Sequence, residues 1–149
     1  LLVCLLVFGG GFTVTPQPTY DLGVNAPQPE FNGAYEYVTE HRHDDAVVIA
    51  GWTAPGVYYA GGVDYWLAHD LGTGGSYTVD GGERYSGAEP LRSAAALETV
   101  SAESDDVWVV VDRTAYLRQS EATQQVLATE FDIVHQVSGI TVYRSTVEE

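Results

Sequence analysis

The sequence predicts an α/β domain: a small, mainly parallel sheet with helices packed on it, ending in an antiparallel hairpin. Short, wholly apolar runs at 46–50 and 107–111 are typical of strands that are buried on both faces. Apolar residues at helical spacing alternate with such runs, and this alternation implies parallel strands joined by right-handed crossovers. A length of 149 residues, 45% of them apolar, suits one domain with a modest core.

Local signals place the elements along the chain. Asn32 and Ser93 each precede apolar residues at helical spacing, so each is predicted to cap a helix. The stretch from 70 to 90 is rich in glycine and predicts a long exposed loop or a weak hairpin. In chain order the predicted elements are a helix from Asn32 to near His41, a strand at 46–50, a helix at 54–60, a strand at 63–67, the loop, a helix after Ser93, a strand at 107–111, a helix through Ala122, Val126 and Leu127, and strands at 131–134 and 140–143.

Three of these runs are expected to pair. We expect 46–50, 107–111 and 131–135 to be neighbouring strands of one sheet, because each is short, apolar and preceded by a helical pattern. A turn at 138–139 then leads into the antiparallel strand that closes the hairpin.

The charge balance excludes one class of partner. Asp and Glu total 21 against 6 basic residues, for a formal net charge of -15, and lysine is absent. Nucleic acid is therefore not expected as a partner, because phosphate binding needs clustered Lys or Arg. An excess of carboxylates without lysine is typical of proteins that stay hydrated in very high salt, which predicts an extremely halophilic source.

The beginning of the chain suggests a membrane location. Residues 1–13 are apolar or small and are interpreted as the end of a truncated transmembrane helix, with a signal peptide or a buried element as alternatives. The proline-rich stretch at 14–30 reads as a linker, and 31–149 as the soluble α/β domain. No basic residue occurs before Arg42, so the positive-inside rule places that domain on the extracytoplasmic side of the cell membrane. Cys4 is the single cysteine, which excludes an internal disulfide.

Several clusters have a structural interpretation that is favoured over a functional one. The glycines at 72–75 and 81–82 lack the Lys-Ser or Lys-Thr of a phosphate loop and are interpreted as flexible. His41, His43, Asp44 and Asp45 have metal-ligand chemistry, but histidines at a helix C-terminus and acids in a turn explain them better. The pairs at 44–45 and 105–106 each precede an apolar strand, which favours a turn over paired catalytic carboxylates. We therefore predict no metal site and no catalytic residue.

Aromatic residues supply the candidate binding site. The stretch 58–67 is rich in tyrosine and includes an acid and a tryptophan, and an arginine follows in 84–87. Aromatic rings stack on sugar faces while charged groups bind hydroxyls, so this composition suits sugar recognition, although packing at a sheet edge is the simpler explanation. The candidate residues for sugar or acceptor recognition are Tyr59, Asp64, Tyr65, Trp66 and Arg84.

These motifs carry a family resemblance. An apolar strand, the aromatic run at 58–67, the Tyr-Ser-Gly at 85–87, a leucine-bearing helix and the Val-Trp-Val-Val-Val at 107–111 resemble the C-terminal soluble domain of GT-C membrane glycosyltransferases. Those enzymes are similar to dolichyl-phosphate-mannose protein mannosyltransferases and lipid A aminoarabinose transferases. The resemblance covers about residues 31–145, and together with the composition it points to a haloarchaeal protein.

The resemblance implies a function for the whole parent protein. It implies transfer of a sugar from a polyprenyl-phosphate-linked donor to a protein, lipid or glycan acceptor, with this domain as an accessory part that contacts the membrane-embedded portion of the same chain. The family's catalytic carboxylate lies in an outer loop that has no counterpart here, so no catalytic residue and no cofactor is carried over. The donor and a divalent metal would belong to the membrane part. The alternative is a membrane-tethered glycan-binding or structural ectodomain without catalysis.

The charge balance predicts a salt response. We expect the free energy of unfolding of the domain at 31–149 to rise as salt increases from low to molar concentration, because screening reduces repulsion among its carboxylates. Melting curves across that range measure it, and a flat or falling melting temperature would contradict the halophilic interpretation.

Overall fold

A computed structural model of the protein describes residues 30–69 and 77–145. None of the helices in these two ranges is long and apolar enough to cross a membrane. The membrane helix predicted for 1–13, and all but the last residue of the linker at 14–30, lie outside the described residues. The helices are α1 (Phe31–His41), α2 (Thr53–Ala60), α3 (Ala94–Glu103), α4 (Arg113–Leu117) and α5 (Glu121–Thr129). The strands are β1 (Val47–Ala50), β2 (Tyr65–Leu67), β3 (Thr78–Val79), β4 (Gly82–Glu83), β5 (Glu89–Leu91), β6 (Val107–Asp112), β7 (Phe131–Val137) and β8 (Ile140–Ser145).

A six-stranded sheet in the order β5-β2-β1-β6-β8-β7 organises the fold, which confirms the predicted α/β class. Strands β5, β2, β1 and β6 are mutually parallel, and β8 pairs antiparallel with β6 and with β7. The last two strands form the predicted hairpin. In the glycine-rich region, β3 and β4 form a separate two-stranded hairpin, and β5 joins the edge of the main sheet.

The two faces of the sheet carry separate apolar clusters. On one face, Val48 and Trp108 pack against α1 through Tyr35 and Val38. On the other face, strand residues pack against helices α3 and α5, with Leu97 and Leu127 fully buried. Because side chains alternate along a strand, β6 contributes to both clusters, and all six of its residues are buried. This confirms the prediction of a strand buried on both faces.

The predicted helix caps had different outcomes. Ser93 caps α3 as predicted, since its Oγ accepts a hydrogen bond from the Ala96 amide at 3.2 Å. The prediction for Asn32 was wrong, because α1 begins at Phe31 and Asn32 lies within the helix. The Phe31 ring stacks on Tyr35 one turn later, with centroids 6.4 Å apart, so apolar contact extends the helix past Asn32.

The predicted neighbours in the sheet need a correction. Strand β7, which covers 131–135, lies in the same sheet as β6 but does not adjoin it, because β8 lies between them. Burial explains the order: β8 has the more buried residues and occupies the inner position, whereas most of β7 is exposed or half-buried at the edge. Arg144 of β8 also donates to Asp106 beside β6 at 2.7 Å, which stabilises this pairing.

Two helical glycines provide a packing test. A Cβ at Gly56 of α2 would collide with Val63 and lie 2.9 Å from the Tyr35 hydroxyl, whereas at Gly33 of α1 the nearest atom is a Val137 methyl at 3.6 Å. We expect Gly33→Ala to raise the free energy of unfolding by roughly 0.5–1 kcal/mol through helix propensity. Gly56→Ala should lower it by about 1–3 kcal/mol, because overpacking outweighs the same propensity gain. Urea unfolding of both variants measures this, and equal effects would contradict the packing of α2 on α1.

Candidate functional site

The succession of parallel strands reverses between β1 and β6. From β1 the chain passes through α2 to β2, which lies on one side of β1 in the sheet. From β5 it returns through α3, which packs on the opposite face of the sheet from α2, to β6, which lies on the other side of β1. In open α/β sheets, ligands bind outside the carboxyl ends of the strands at such a point. A cavity of about 360 Å³ lies here, and we call it the aromatic pocket. Its lining residues are Phe31, Trp52, Thr53, Ala54, Pro55, Trp66, Tyr77, Glu83, Tyr85 and Asp112.

Backbone geometry brings the aromatic walls together. Trp52 follows β1 and precedes α2, Trp66 lies on β2, and Tyr85 follows β4. Gly51 allows the chain to pass close to α4 after β1, since a Cβ there would approach Ala115 to 2.7 Å. Trp66 is buried and Tyr85 is 73% exposed, so the pocket has one deep aromatic wall and one at its rim.

Glu83 is a buried carboxylate with a dense set of donors. Its Oε2 accepts hydrogen bonds from the Thr53 hydroxyl at 2.7 Å, the Tyr85 amide at 3.0 Å, and the Ser86 amide and hydroxyl at 2.9 and 2.8 Å. Burial alone would raise its pKa, but these hydrogen bonds outweigh burial and lower the pKa below its ordinary value. Glu83 is therefore ionised at neutral pH, and it attaches the β3–β4 hairpin to α2.

Asp112 is the second buried carboxylate of the pocket. It ends β6 and caps α4, where its Oδ1 accepts from the Ala115 amide at 2.7 Å. The same oxygen accepts from the Trp52 indole N–H at 3.0 Å. One carboxylate thus starts a helix and orients an aromatic wall, so the position of Trp52 depends on the end of β6.

A buried histidine supports the two tryptophans. The His69 ring lies edge-on to Trp52 at 4.9 Å and to Trp66 at 6.1 Å between centroids. Burial is the largest influence on its pKa, which is lowered, so the ring is neutral at neutral pH. Among the described residues its Nε2 has no hydrogen-bond partner.

The five residues predicted for sugar recognition do not share one surface. Trp66 lines the aromatic pocket, whereas Tyr65 points to the opposite face and packs against the cluster beneath α3 and α5. Asp64 lies at the amino end of β2, where its Oδ2 accepts from the Val48 amide at 2.8 Å. Tyr59 lies on α2, at a shallow depression that it shares with α1, and Arg84 is exposed on the hairpin.

Asp106 is one of the residues that were given a structural interpretation. Asp106 accepts from Arg144 and, at 3.2 Å, from the His43 amide, so it has a structural role at the start of β6. Burial would raise the pKa of Asp106, but these bonds and the arginine charge lower it.

Asp80 and Gly81 adopt left-handed backbone in the turn between β3 and β4. The glycines at 72–75 lie outside the described residues. Within 30–69 and 77–145, no group of three or more His, Cys, Asp or Glu is placed to hold a metal ion.

Sequence reasoning missed most of the pocket. Trp52 and Asp112 each stand at the carboxyl end of an apolar strand, and that position was the available signal. Glu83 had no comparable signal, since its donor Thr53 lies 30 residues away. No family model, curated protein or solved structure that was compared with the chain matches it.

The donors around Glu83 predict an acid-dependent stability. A carboxyl group whose pKa is lower in the folded state stabilises the fold at pH values above its ordinary pKa, which is 4.5 for glutamate. This contribution is lost as the pH falls through the lowered pKa of the folded state. We expect Glu83→Gln to reduce the free energy of unfolding at neutral pH by about 1.5–3 kcal/mol and to make its fall with acid shallower. Urea unfolding over an acidic pH series measures both effects.

A matched control separates this contribution from the general acidity of the chain. Glu89 is exposed on β5, so Glu89→Gln should leave both the stability and its pH dependence nearly unchanged. If the two variants have the same acid profile, Glu83 is not the ionised anchor of the hairpin.

Proposed function

We propose that the domain recognises a sugar in the aromatic pocket, as the extracytoplasmic accessory domain of a membrane glycosyltransferase that uses a polyprenyl-phosphate-linked donor. The observation that supports this most is the composition of the pocket: five aromatic residues and two buried carboxylates line it. Sugar rings present apolar faces to aromatic side chains and hydroxyl groups to acceptors. The family resemblance of the sequence, which rests partly on the same aromatic segments, supports the same function.

The pocket suits a ligand of moderate size. A cavity of about 360 Å³ is within the range of small-molecule sites. Its carboxylates are already held in place by Thr53, Ser86 and Trp52, so they need no reorganisation to accept hydroxyl protons. This preorganisation is compatible with ligand recognition in addition to the structural role of the two acids.

The alternative, a membrane-tethered glycan-binding domain without catalysis, uses the same pocket. In the glycosyltransferase the pocket would recognise the acceptor or the donor sugar. In the glycan-binding domain it would only attach the protein to a glycan. An assay of sugar transfer by the parent protein separates them, because a pocket variant that loses binding lowers transfer in the first case and leaves it unchanged in the second.

Tyr85 provides the cleanest test of sugar binding. It is 73% exposed, so Tyr85→Ala should change the free energy of unfolding by less than about 0.5 kcal/mol, whereas truncation of the buried Trp66 would cost about 3–5 kcal/mol and confound the result. We expect Tyr85→Ala to weaken sugar binding by about three- to tenfold through loss of a stacking surface. Titration of the purified chain with mannose, glucose and N-acetylglucosamine, followed by tryptophan fluorescence, measures this, since Trp52 and Trp66 line the pocket.

Tyr58→Ala is the matched control. Tyr58 is 81% exposed on α2 and does not line the pocket, so its replacement should leave sugar binding unchanged. Equal losses in the two variants, or no binding of any of the three sugars by the wild-type chain, would overturn the proposal.

A further inference from the structure

The charged groups of the aromatic pocket all have one sign. Glu83 and Asp112 line it, and no arginine, lysine or histidine of the described residues does. Both acids are about 95% buried, with 5% and 6% of their surfaces exposed, so solvent screens their charges less than it screens those on the surface. The pocket therefore has a negative potential that is local and distinct from the general acidity of the chain.

A helix N-terminus at the pocket, which would attract an anion, already has a carboxylate of the protein beside it. The N-terminus of α2 points its amide groups toward the carboxyl ends of the strands, where phosphates bind in many α/β proteins. Here Thr53, the first residue of α2, donates its hydroxyl to Glu83, so the protein's own carboxylate occupies the neighbourhood of the helix end. Pro55 also lacks an N–H. A phosphate group would meet two carboxylates and few free donors.

Among the described residues, the donors to each carboxylate all bond one of its two oxygens. The four donors to Glu83 all bond Oε2, and the two donors to Asp112 both bond Oδ1. Within the described part of the chain, no donor bonds Glu83 Oε1 or Asp112 Oδ2. Acceptor oxygens beside aromatic faces match the requirements of an organic cation, which is attracted both to ionised carboxylates and to the negative faces of the rings.

We propose that the ligand of the aromatic pocket carries an organic ammonium group, held between the aromatic walls and the carboxylates of Glu83 and Asp112. This inference depends on the aromatic pocket being the binding site, as the proposed function has it, and it adds the charge of the ligand. Two sources have this chemistry: the protonated amine of an amino sugar, and a methylated ammonium group such as that of a choline headgroup.

Matched pairs of probes test the charge. Glucosamine and glucose differ by one amine, and tetramethylammonium and tert-butanol have nearly the same shape but differ in charge. We expect the purified chain to bind each cation about three- to tenfold more tightly than its neutral partner, at constant ionic strength and a mildly acidic pH at which the amine of glucosamine is protonated. Preference for glucosamine alone identifies an amino sugar, and preference for tetramethylammonium alone identifies a methylated headgroup; both support the inference.

Asp112→Asn tests the site itself. Asparagine retains an Oδ1 that accepts from Trp52 and Ala115, and it caps helices as well as aspartate, so the fold should be preserved while one charge is removed. We expect the preference of the variant for glucosamine over glucose to fall by about three- to tenfold, with an unchanged melting temperature. Asp105→Asn is the control. Asp105 is exposed just before the amino end of β6, whereas the pocket lies at the carboxyl end, so this variant should keep the wild-type preference.

The outcomes that overturn this inference differ from those that overturn the proposed function. Equal binding of glucosamine and glucose, together with equal binding of tetramethylammonium and tert-butanol, overturns the ammonium ligand and leaves sugar recognition in place. Tighter binding of inorganic phosphate than of glucose also overturns it, as do equal losses in Asp105→Asn and Asp112→Asn, which would assign the preference to net charge. Binding of tetramethylammonium without any sugar supports the ammonium ligand and overturns sugar recognition. Failure of every probe to bind overturns both.

Discussion

Strand β6 connects the core of the protein to its candidate site. All of its residues are buried between β1 and β8, and a buried carboxylate stands at each end of the run. Asp106, just before the strand, binds Arg144 of β8, and Asp112, its last residue, binds the indole of Trp52. Buried carboxylates are tolerated only when they are hydrogen-bonded. The position of β6 therefore determines both how the β7–β8 hairpin packs and how the Trp52 wall of the aromatic pocket is oriented.

A second carboxylate attaches an element that the main sheet does not hold. The β3–β4 hairpin is too short to be stable alone, and Glu83 joins it to α2 through Thr53 and to its own following turn through Ser86. This attachment places Tyr85 at the rim of the pocket. The same side chain therefore stabilises the hairpin and contributes a carboxylate to the lining of the pocket.

Much of the fold could be predicted from the sequence, and little of the site. The apolar run of β6 and the cap at Ser93 are local signals, and both predictions were confirmed. Helix α4 was missed because it is only five residues long, too short for apolar periodicity to be visible. Of the residues predicted for recognition, only Trp66 lines the pocket, because adjacent residues in an aromatic run point to opposite faces of a strand, as Tyr65 does.

The sequence by itself determined the class of the fold and most of its longer helices and strands, since apolar periodicity and capping depend on residues within a few positions of one another. Only the tertiary structure decided that β8 lies between β6 and β7, because the inner position goes to whichever strand of the hairpin buries more apolar surface against the rest of the sheet. It also decided which of the 21 acidic residues form the pocket. Glu83 and Asp112 differ from the others through hydrogen bonds to Thr53 and Trp52, residues 30 and 60 positions away, and contacts at such separations exist only after the chain has folded.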